Sequence, residues 1–382
     1  MCGTCGADLS FCPAQEVSRR QVFELPALAL EITEHQAEIK VCPCCQAKAK
    51  APFPVGVAQK SQYGPRVKAL LVYLHTYQLV PYQRIGDLFS DLFGQPISGG
   101  LIYHANQLAY DQLEVGEKEI KTALSLSHLA HFDETGLYEM AKRIWLHSTS
   151  NASYTYYHAD AKRGKDAMDR AGILPVFKGV AVHDHWQPYK HYEACDHAFC
   201  NVHHIRELQR AYEQDHKTWA KGLKDLLYQI KDTVDKAKEK GKHQLSSAKR
   251  ALFRDRYRLL IENAKKEYPD RPPKEKGKRG RLKQDKSKNL LDRLDRYQQD
   301  TLRFMEDFRV PFDNNLAERD LRMVKVKQKI SGTFRSQEGS AFFCRIRGAI
   351  STWKKQRHNI LESLTHCFQI EPLTHDTANT AE

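Results

Sequence analysis

Apolar residues recur at helical-turn spacing between Tyr63 and about Glu114, first as Val67, Leu70, Leu71 and Leu74, then as Ile85, Leu88, Phe89 and Leu92. Two amphipathic helices are predicted there. Gly94-Gln95-Pro96 breaks the second, and Ser98 can cap a third helix running through Tyr103 and Leu108. Helix, short turn, helix is also the outline of a DNA-reading helix-turn-helix, although most such hairpins bind nothing. From about His128 the period falls to two. Leu129, His131 and Asp133 alternate along one strand, Arg143–Ser148 and Ser153–Ala159 follow as strands, and Gly164–Ala171 reads as a helix. A fourth strand over Val176–Asp184 places Val180, Val182 and Asp184 on one face, and this strand can lie beside the first in a mixed sheet. Residues from about His203 to Phe308 are mostly helical. After Pro311, Asp313 or Asn314 caps a last helix whose narrow apolar stripe, Ala317, Leu321 and Val324, docks on the sheet; Glu318 leads its polar face.

Composition narrows the class. A chain of 382 residues that is 41% hydrophobic can bury a sizeable core in two or three domains. The pattern divides it into a cysteine-rich segment at 1–50, a helical region at 60–125, an α/β domain at 126–368 with a helical insertion over about 203–308, and an unstructured tail at 369–382. Sixty Lys and Arg against 47 Asp and Glu leave a net charge of +13, which favours a polyanionic partner, nucleic acid first among them. The stretch Lys265–Lys288 carries eleven basic against four acidic residues and almost nothing apolar, so it reads as a mobile basic loop able to track phosphates or simply as a solvated linker.

No apolar run reaches 18 residues and the start has no secretory signal, so a cytoplasmic protein without a membrane partner is expected. In that compartment the ten cysteines stay reduced. Six of them fall within the first 50 residues, and the facing knuckles Cys2-x-x-Cys5 and Cys42-Pro43-Cys44-Cys45 suit one structural zinc held by Cys2, Cys5, Cys42 and Cys45, with Cys12 and Cys44 as spare candidates.

Three acids stand out by their order: Asp133 at the end of the first strand, Asp184 at the end of the fourth, and Glu318 on a late helix. That order matches the ribonuclease H-like nuclease arrangement. Carboxylates converging from separate elements repel one another unless cations lie between them, so the trio implies magnesium or manganese, and two ions about 3.5–4 Å apart would serve phosphodiester chemistry. Singly, each acid is more often a turn acceptor or a surface charge. Glu134 is a weaker candidate, because alternation points it away from Asp133. Arg319, Arg322, Lys325, Lys329 and Arg335 place cations beside Glu318 and are candidates for phosphate contact; Trp186 and Tyr189 can stack on a base or pack in the core. His197, Cys200, His203 and His204 have donors at metal-like spacing, but buried, hydrogen-bonded side chains are the preferred reading.

The stretches His131-Phe132-Asp133-Glu134-Thr135, Val182-His183-Asp184-His185-Trp186 and Asn314-Asn315-Leu316-Ala317-Glu318-Arg319 resemble the acid-bearing motifs of insertion-sequence 66 family transposases. Cys200–Leu208 and Lys329–Ser336 are similar to further motifs of that family, and the resemblance runs from the cysteine knuckles to about Phe368. It implies a DDE-type transposase with a ribonuclease H-like domain interrupted by a helical insertion, preceded by a zinc finger and a helical DNA-binding region. By that resemblance Asp133, Asp184 and Glu318 hold the two metal ions, and the partners are the element's terminal inverted repeats, target DNA, further copies of the chain on DNA and accessory element-encoded proteins, in the nucleoid. Family members usually carry a longer coiled-coil-like amino-terminal region, so a truncated copy is one expectation. A decayed transposase that only binds DNA and a nuclease that cuts without joining are the competing readings; intact acids weigh against the first.

Overall fold

The computed structural model describes residues 1–268 and 284–369. Most of the basic stretch at 265–288 and the expected tail lie outside the described residues. The chain divides into two compact units, one comprising Met1–Lys60 and Gly86–Ile97, the other Ser61–Ile85 and Ser98–Glu382.

In the first unit β1 (Ile39–Val41) and β2 (Lys48–Lys50) pair antiparallel, Ile39 opposite Lys50, around the turn that carries Cys42–Cys45. The second unit holds a five-stranded mixed sheet built from β3 (Leu129–Glu139), β4 (Lys142–Ser150), β5 (Thr155–Asp160), β6 (Val180–His183) and β7 (Asp196–Phe199), in the order β5-β4-β3-β6-β7. The first three strands form an antiparallel meander, and β6 returns parallel to β3 with Leu129, Ala130 and His131 opposite Val180, Ala181 and Val182. The side-by-side placement expected for the two acid-bearing strands therefore holds. Parallel neighbours need a crossover, and α5 (Lys165–Ala171) lies within it, capped at its end by Gly172 in the left-handed conformation. The fourth strand is shorter than its apolar run: Leu174–Val176 is a 3-10 turn, and β6 begins only after Gly179. A side chain at Gly179 would meet the carbonyl oxygens of Ser127 and His128 at 2.5 Å, so glycine is what lets the chain enter beside β3.

The remaining helices, in chain order, are α1 (Pro65–Val72), α2 (Tyr82–Phe93), α3 (Gly99–Gln112) and α4 (Glu114–Ser125) before the sheet; α6 (Asn201–Glu213), α7 (Thr218–Glu239), α8 (Ser247–Lys265), α9 (Lys286–Arg296) and α10 (Gln298–Glu306) after β7; and α11 (Asn315–Ser331), α12 (Gln337–Lys355) and α13 (Ile360–Cys367) at the end. Ser98 caps α3 as its sequence suggests, accepting from Leu101 N at 3.2 Å. Beyond α1 the chain widens into a π-turn at Tyr73–Tyr77, and the buried Arg347 of α12 donates to the carbonyls of Thr76 and Tyr77. Helices α6–α10 enclose a core of their own that includes Leu223, Leu227, Tyr257 and Leu291 and reaches Val180 and Val182. On the sheet, Leu321 and Val324 of α11 pack against Leu137, Ile144 and Leu146, which is the apolar stripe expected of that helix. The opposite face is covered by Ile120 and Leu124 of α4 and by Met168, Ile173 and Phe177, against Ala130 and Phe132. Neither β7 nor α12 was legible. The strand is four residues long, and α12 is buried on most sides, from Phe342 and Phe343 through Gly348 to Thr352. Among the described residues no helix is long and apolar enough to cross a membrane.

Candidate active site

Alternation along β3 decides which side chains meet. His131 and Leu137 face α11, where the ring of His131 lies 2.7 Å from Asn314 Oδ1 and Leu137 packs on Leu321. Ala130 and Phe132 face the opposite core. Asp133 belongs to the first set and Glu134 to the second. Glu134 is spoken for: one of its oxygens accepts from Arg163 Nε and Nη2 at 2.9 and 2.7 Å, the other from the buried Tyr189 hydroxyl at 2.5 Å. Tyr189 is only 2% exposed and cannot stack on a base. Trp186, half-buried, has its ring covered by the Arg163 guanidinium at 4.0 Å.

Continuing the β3–β6 register by one more pair on the same face carries it from His131 and Val182 to Asp133 and Asp184. Asp133 accepts the backbone N–H of Glu134 at 2.9 Å, yet its carboxyl is pushed up to about 7. Burial is the largest cause, the negative charge of Glu134 the next, and the charges of both Asp184 and Glu318 add to it. The charges of Asp184 and Glu318 thus reach Asp133, but among the described residues the oxygens of the three sequence-predicted acids are not gathered within 4.8 Å of one another.

Asp184 follows β6 and folds back on its own turn, accepting from Trp186 N at 2.8 Å. Behind it runs a chain of buried rings: His183 meets the Asp184 carbonyl through Nδ1 and His197 Nδ1 through Nε2 at 2.9 Å, and His197 Nε2 reaches the Tyr192 carbonyl at 3.2 Å. Burial lowers both rings, His183 well below the usual histidine range and His197 to about 4, and the pair braces the turn of Asp184. In front of Asp184 opens a cleft of about 560 Å³ bordered by Trp186, Arg293, Arg296 and Tyr297.

Glu318 sits in the first turn of α11, where the helix N-terminus favours a negative charge. The preceding Asn314 does not cap the helix with its side chain; Asp313 supplies that bond instead, its Oδ1 accepting from Asn315 N at 3.0 Å. Asn314 is buried and turned to the sheet, donating to the Phe132 carbonyl at 2.9 Å and lying against His131, while its own N–H points at Cys200 Sγ at 3.2 Å. Cys200, His203 and Glu318 bring one donor atom each within 4.8 Å of one another. His197 and His204 do not join them: His197 braces His183, and His204 lies at 3.3 Å from Asn201 Oδ1.

Arg319, Arg322, Lys325, Lys329 and Arg335 are all exposed. Lys325 donates to the Gly136 carbonyl at 2.9 Å, which leans its ammonium over the sheet edge.

In the first unit the two cysteine knuckles share one backbone pattern. Cys2 N donates to the Ala7 carbonyl and Gly6 N to the Cys2 carbonyl; Cys42 N donates to the Ala47 carbonyl and Gln46 N to the Cys42 carbonyl. Gly6 and Gln46, at the matching position, both have positive φ. Backbone N–H groups of Thr4 and Cys5 point at the Cys2 sulfur and those of Cys44 and Cys45 at the Cys42 sulfur, lowering both thiols. Such N–H groups are what a metal-bound thiolate requires, so the donor set fits zinc. The four sulfurs are not gathered into a single cluster among the described residues.

Sequence reasoning overlooked Arg163, which neutralises Glu134, and the link from Asn314 to the strand of Asp133. A lone arginine before a glycine carries no signal, and Asn314 was legible only as a helix cap.

No curated protein matches the chain. The family described as Transposase IS66 family matches residues 60–341.

Proposed function

The chain belongs to the IS66 transposase family, and from that premise we propose that it is a DDE-type transposase, cutting DNA at element ends and joining the exposed 3′-hydroxyl to target DNA. The observation that supports this reading is the placement of Asp133 and Asp184 at facing ends of adjacent parallel strands, with Glu318 in the first turn of the helix docked on that face; the Asp133 carboxyl is raised chiefly by burial and by Glu134, with smaller contributions from Asp184 and Glu318. Three hard oxygen donors whose mutual repulsion a cation would relieve fit magnesium or manganese. When bound, a pair of such ions supplies a more nucleophilic oxygen and neutralises charge on the attacking and leaving groups. Asp133 and Asp184 hold the pair from adjacent strands, and Glu318 completes the set from α11.

The chain's other residues orient. Asn314 keeps the first turn of α11 against β3, Glu134 and Arg163 fix the opposite face of that strand, and the His183–His197 pair supports Asp184 from behind. Exposed Arg319, Arg322, Lys325, Lys329 and Arg335 receive the phosphate backbone. The strand order β5-β4-β3-β6-β7, with three antiparallel strands followed by two parallel ones, supports a ribonuclease H-like fold in which α6–α10 form the insertion. The paired knuckles support a zinc ribbon on Cys2, Cys5, Cys42 and Cys45. We assign the helical region before the sheet to DNA binding, and propose assembly as a homo-oligomer on element ends, with accessory element proteins, in the cytoplasm at the nucleoid.

The test is joining of labelled element ends to a plasmid in magnesium or manganese. Asp184→Ala should abolish joining, and equal joining by both proteins would dismiss the assignment.

A further inference from the structure

Glu318 faces two kinds of neighbour. Its charge adds to those acting on Asp133, and its carboxylate lies near a thiol and an imidazole that the acid trio does not need. Cys200 is the residue before α6 and His203 lies in its first turn, a Cys-x-x-His spacing that puts both on one face of a helix start. With Glu318 of α11 they place a sulfur, a ring nitrogen and a carboxylate oxygen within 4.8 Å of one another. Around a tetrahedral zinc ion, bonds of about 2.0–2.3 Å put neighbouring donors about 3.3–3.8 Å apart, so side-chain adjustment of about 1 Å closes the set.

The local chemistry suits a soft cation. Cys200 Sγ receives the backbone N–H of Asn314 at 3.2 Å and lies at the N-terminus of α6, both of which favour a thiolate. Burial pushes the free thiol up, a penalty that a bound cation removes. His203 Nδ1 is buried and makes no hydrogen bond, an orphan that needs an explanation in a folded protein. Magnesium has no use for a thiol or an imidazole, whereas zinc prefers them and binds nitrogen and sulfur sites far more tightly.

We propose that Cys200, His203 and Glu318 form a three-donor site for a thiophilic divalent cation such as zinc, with the fourth position open to water, and that this cation competes with the magnesium pair for Glu318. The site rests on geometry alone; the competition rests also on the reading of Glu318 as a magnesium ligand. Binding releases the Cys200 thiol proton to solvent. Zinc is then an inhibitor that draws Glu318 away from its acidic partners.

The experiment compares full-length wild type with His203→Ala and Cys200→Ser, each checked for a wild-type far-UV spectrum. Zinc bound per chain is counted after equilibration with excess zinc, and joining is followed at fixed magnesium as zinc is raised. Zinc held elsewhere on the chain is common to all three proteins and cancels in the difference. Wild type should hold one zinc more than either variant. The zinc concentration that halves each protein's own activity should rise at least about tenfold in the variants, the lower end of what even supporting groups around a metal are worth. Equal zinc counts in all three proteins overturn the site. A lost zinc with unchanged zinc sensitivity overturns the competition. Failure of the catalytic reading appears separately, as full magnesium-supported joining by Glu318→Ala with the zinc difference between the other proteins intact.

Discussion

Asn314 donates its side-chain amide to the carbonyl of Phe132, the residue immediately before Asp133, at 2.9 Å. One buried side chain thereby fixes the start of the helix that carries Glu318 to the strand that carries the first acid. Asn314→Ala leaves that carbonyl and the His131 ring without their partner. The variant should lose about 2–6 kcal/mol of stability, at about 1–3 kcal/mol for each of the two buried groups left unpaired. Its joining rate should fall at least about tenfold even where it is fully folded, because small misplacements of reacting groups are costly. Urea unfolding together with joining assays reads both, and a variant as stable and as active as wild type would remove Asn314 from this role.

The raised carboxyl of Asp133 makes stability depend on pH. An aspartate in the unfolded chain titrates near 3.9, while the folded one is held at about 7. The folded state therefore binds the proton more tightly. Its contribution is fully present below about pH 4 and is lost as pH rises through 7. In magnesium-free buffer, Asp133→Asn should be more stable than wild type at about pH 8. The margin is a few kcal/mol at most, at about 1.4 kcal/mol for every tenfold change in proton affinity between the unfolded and folded chain. It should shrink steadily toward about pH 4. Melting curves across that range check it, and a margin independent of pH would contradict the burial of Asp133 beside other carboxylates that raises it.

How much of this was readable in the sequence depends on the range over which each signal acts. The period of two along Leu129, His131 and Asp133 and along Val180, Val182 and Asp184 is local, and it placed both acids on one face and Glu134 on the other. The stripe Ala317, Leu321 and Val324 likewise announced how α11 docks. What failed was decided by tertiary structure. Asp313 and Asn314 were both open as caps from sequence; Asp313 supplies the bond, and only the fold shows that Asn314 donates to the Phe132 carbonyl instead. Cys200 and His203 announced metal-like spacing, but their third partner, Glu318, lies on another helix far along the chain. Glu134 finds Arg163 across a crossover whose geometry no periodicity encodes.

The exposed basic face of α11 gives a prediction independent of the acids. Arg319, Arg322 and Lys329 are exposed. Replacing all three by alanine should change unfolding stability little, as surface substitutions usually do. The plot of log affinity against log salt for duplex DNA should become shallower by about 2–3, at about 0.9 per lost phosphate contact. Filter binding across a salt series measures this, and an unaltered slope would place the DNA elsewhere.

Three carboxylates sharing bound cations are the centre of the proposed chemistry. Manganese titration of the DNA-bound protein, followed by the electron paramagnetic resonance of free manganese, counts those cations directly. Two manganese ions per chain are expected in wild type, and fewer in each of Asp133→Asn, Asp184→Asn and Glu318→Gln. An undiminished count in any one of the three variants would contradict the shared site.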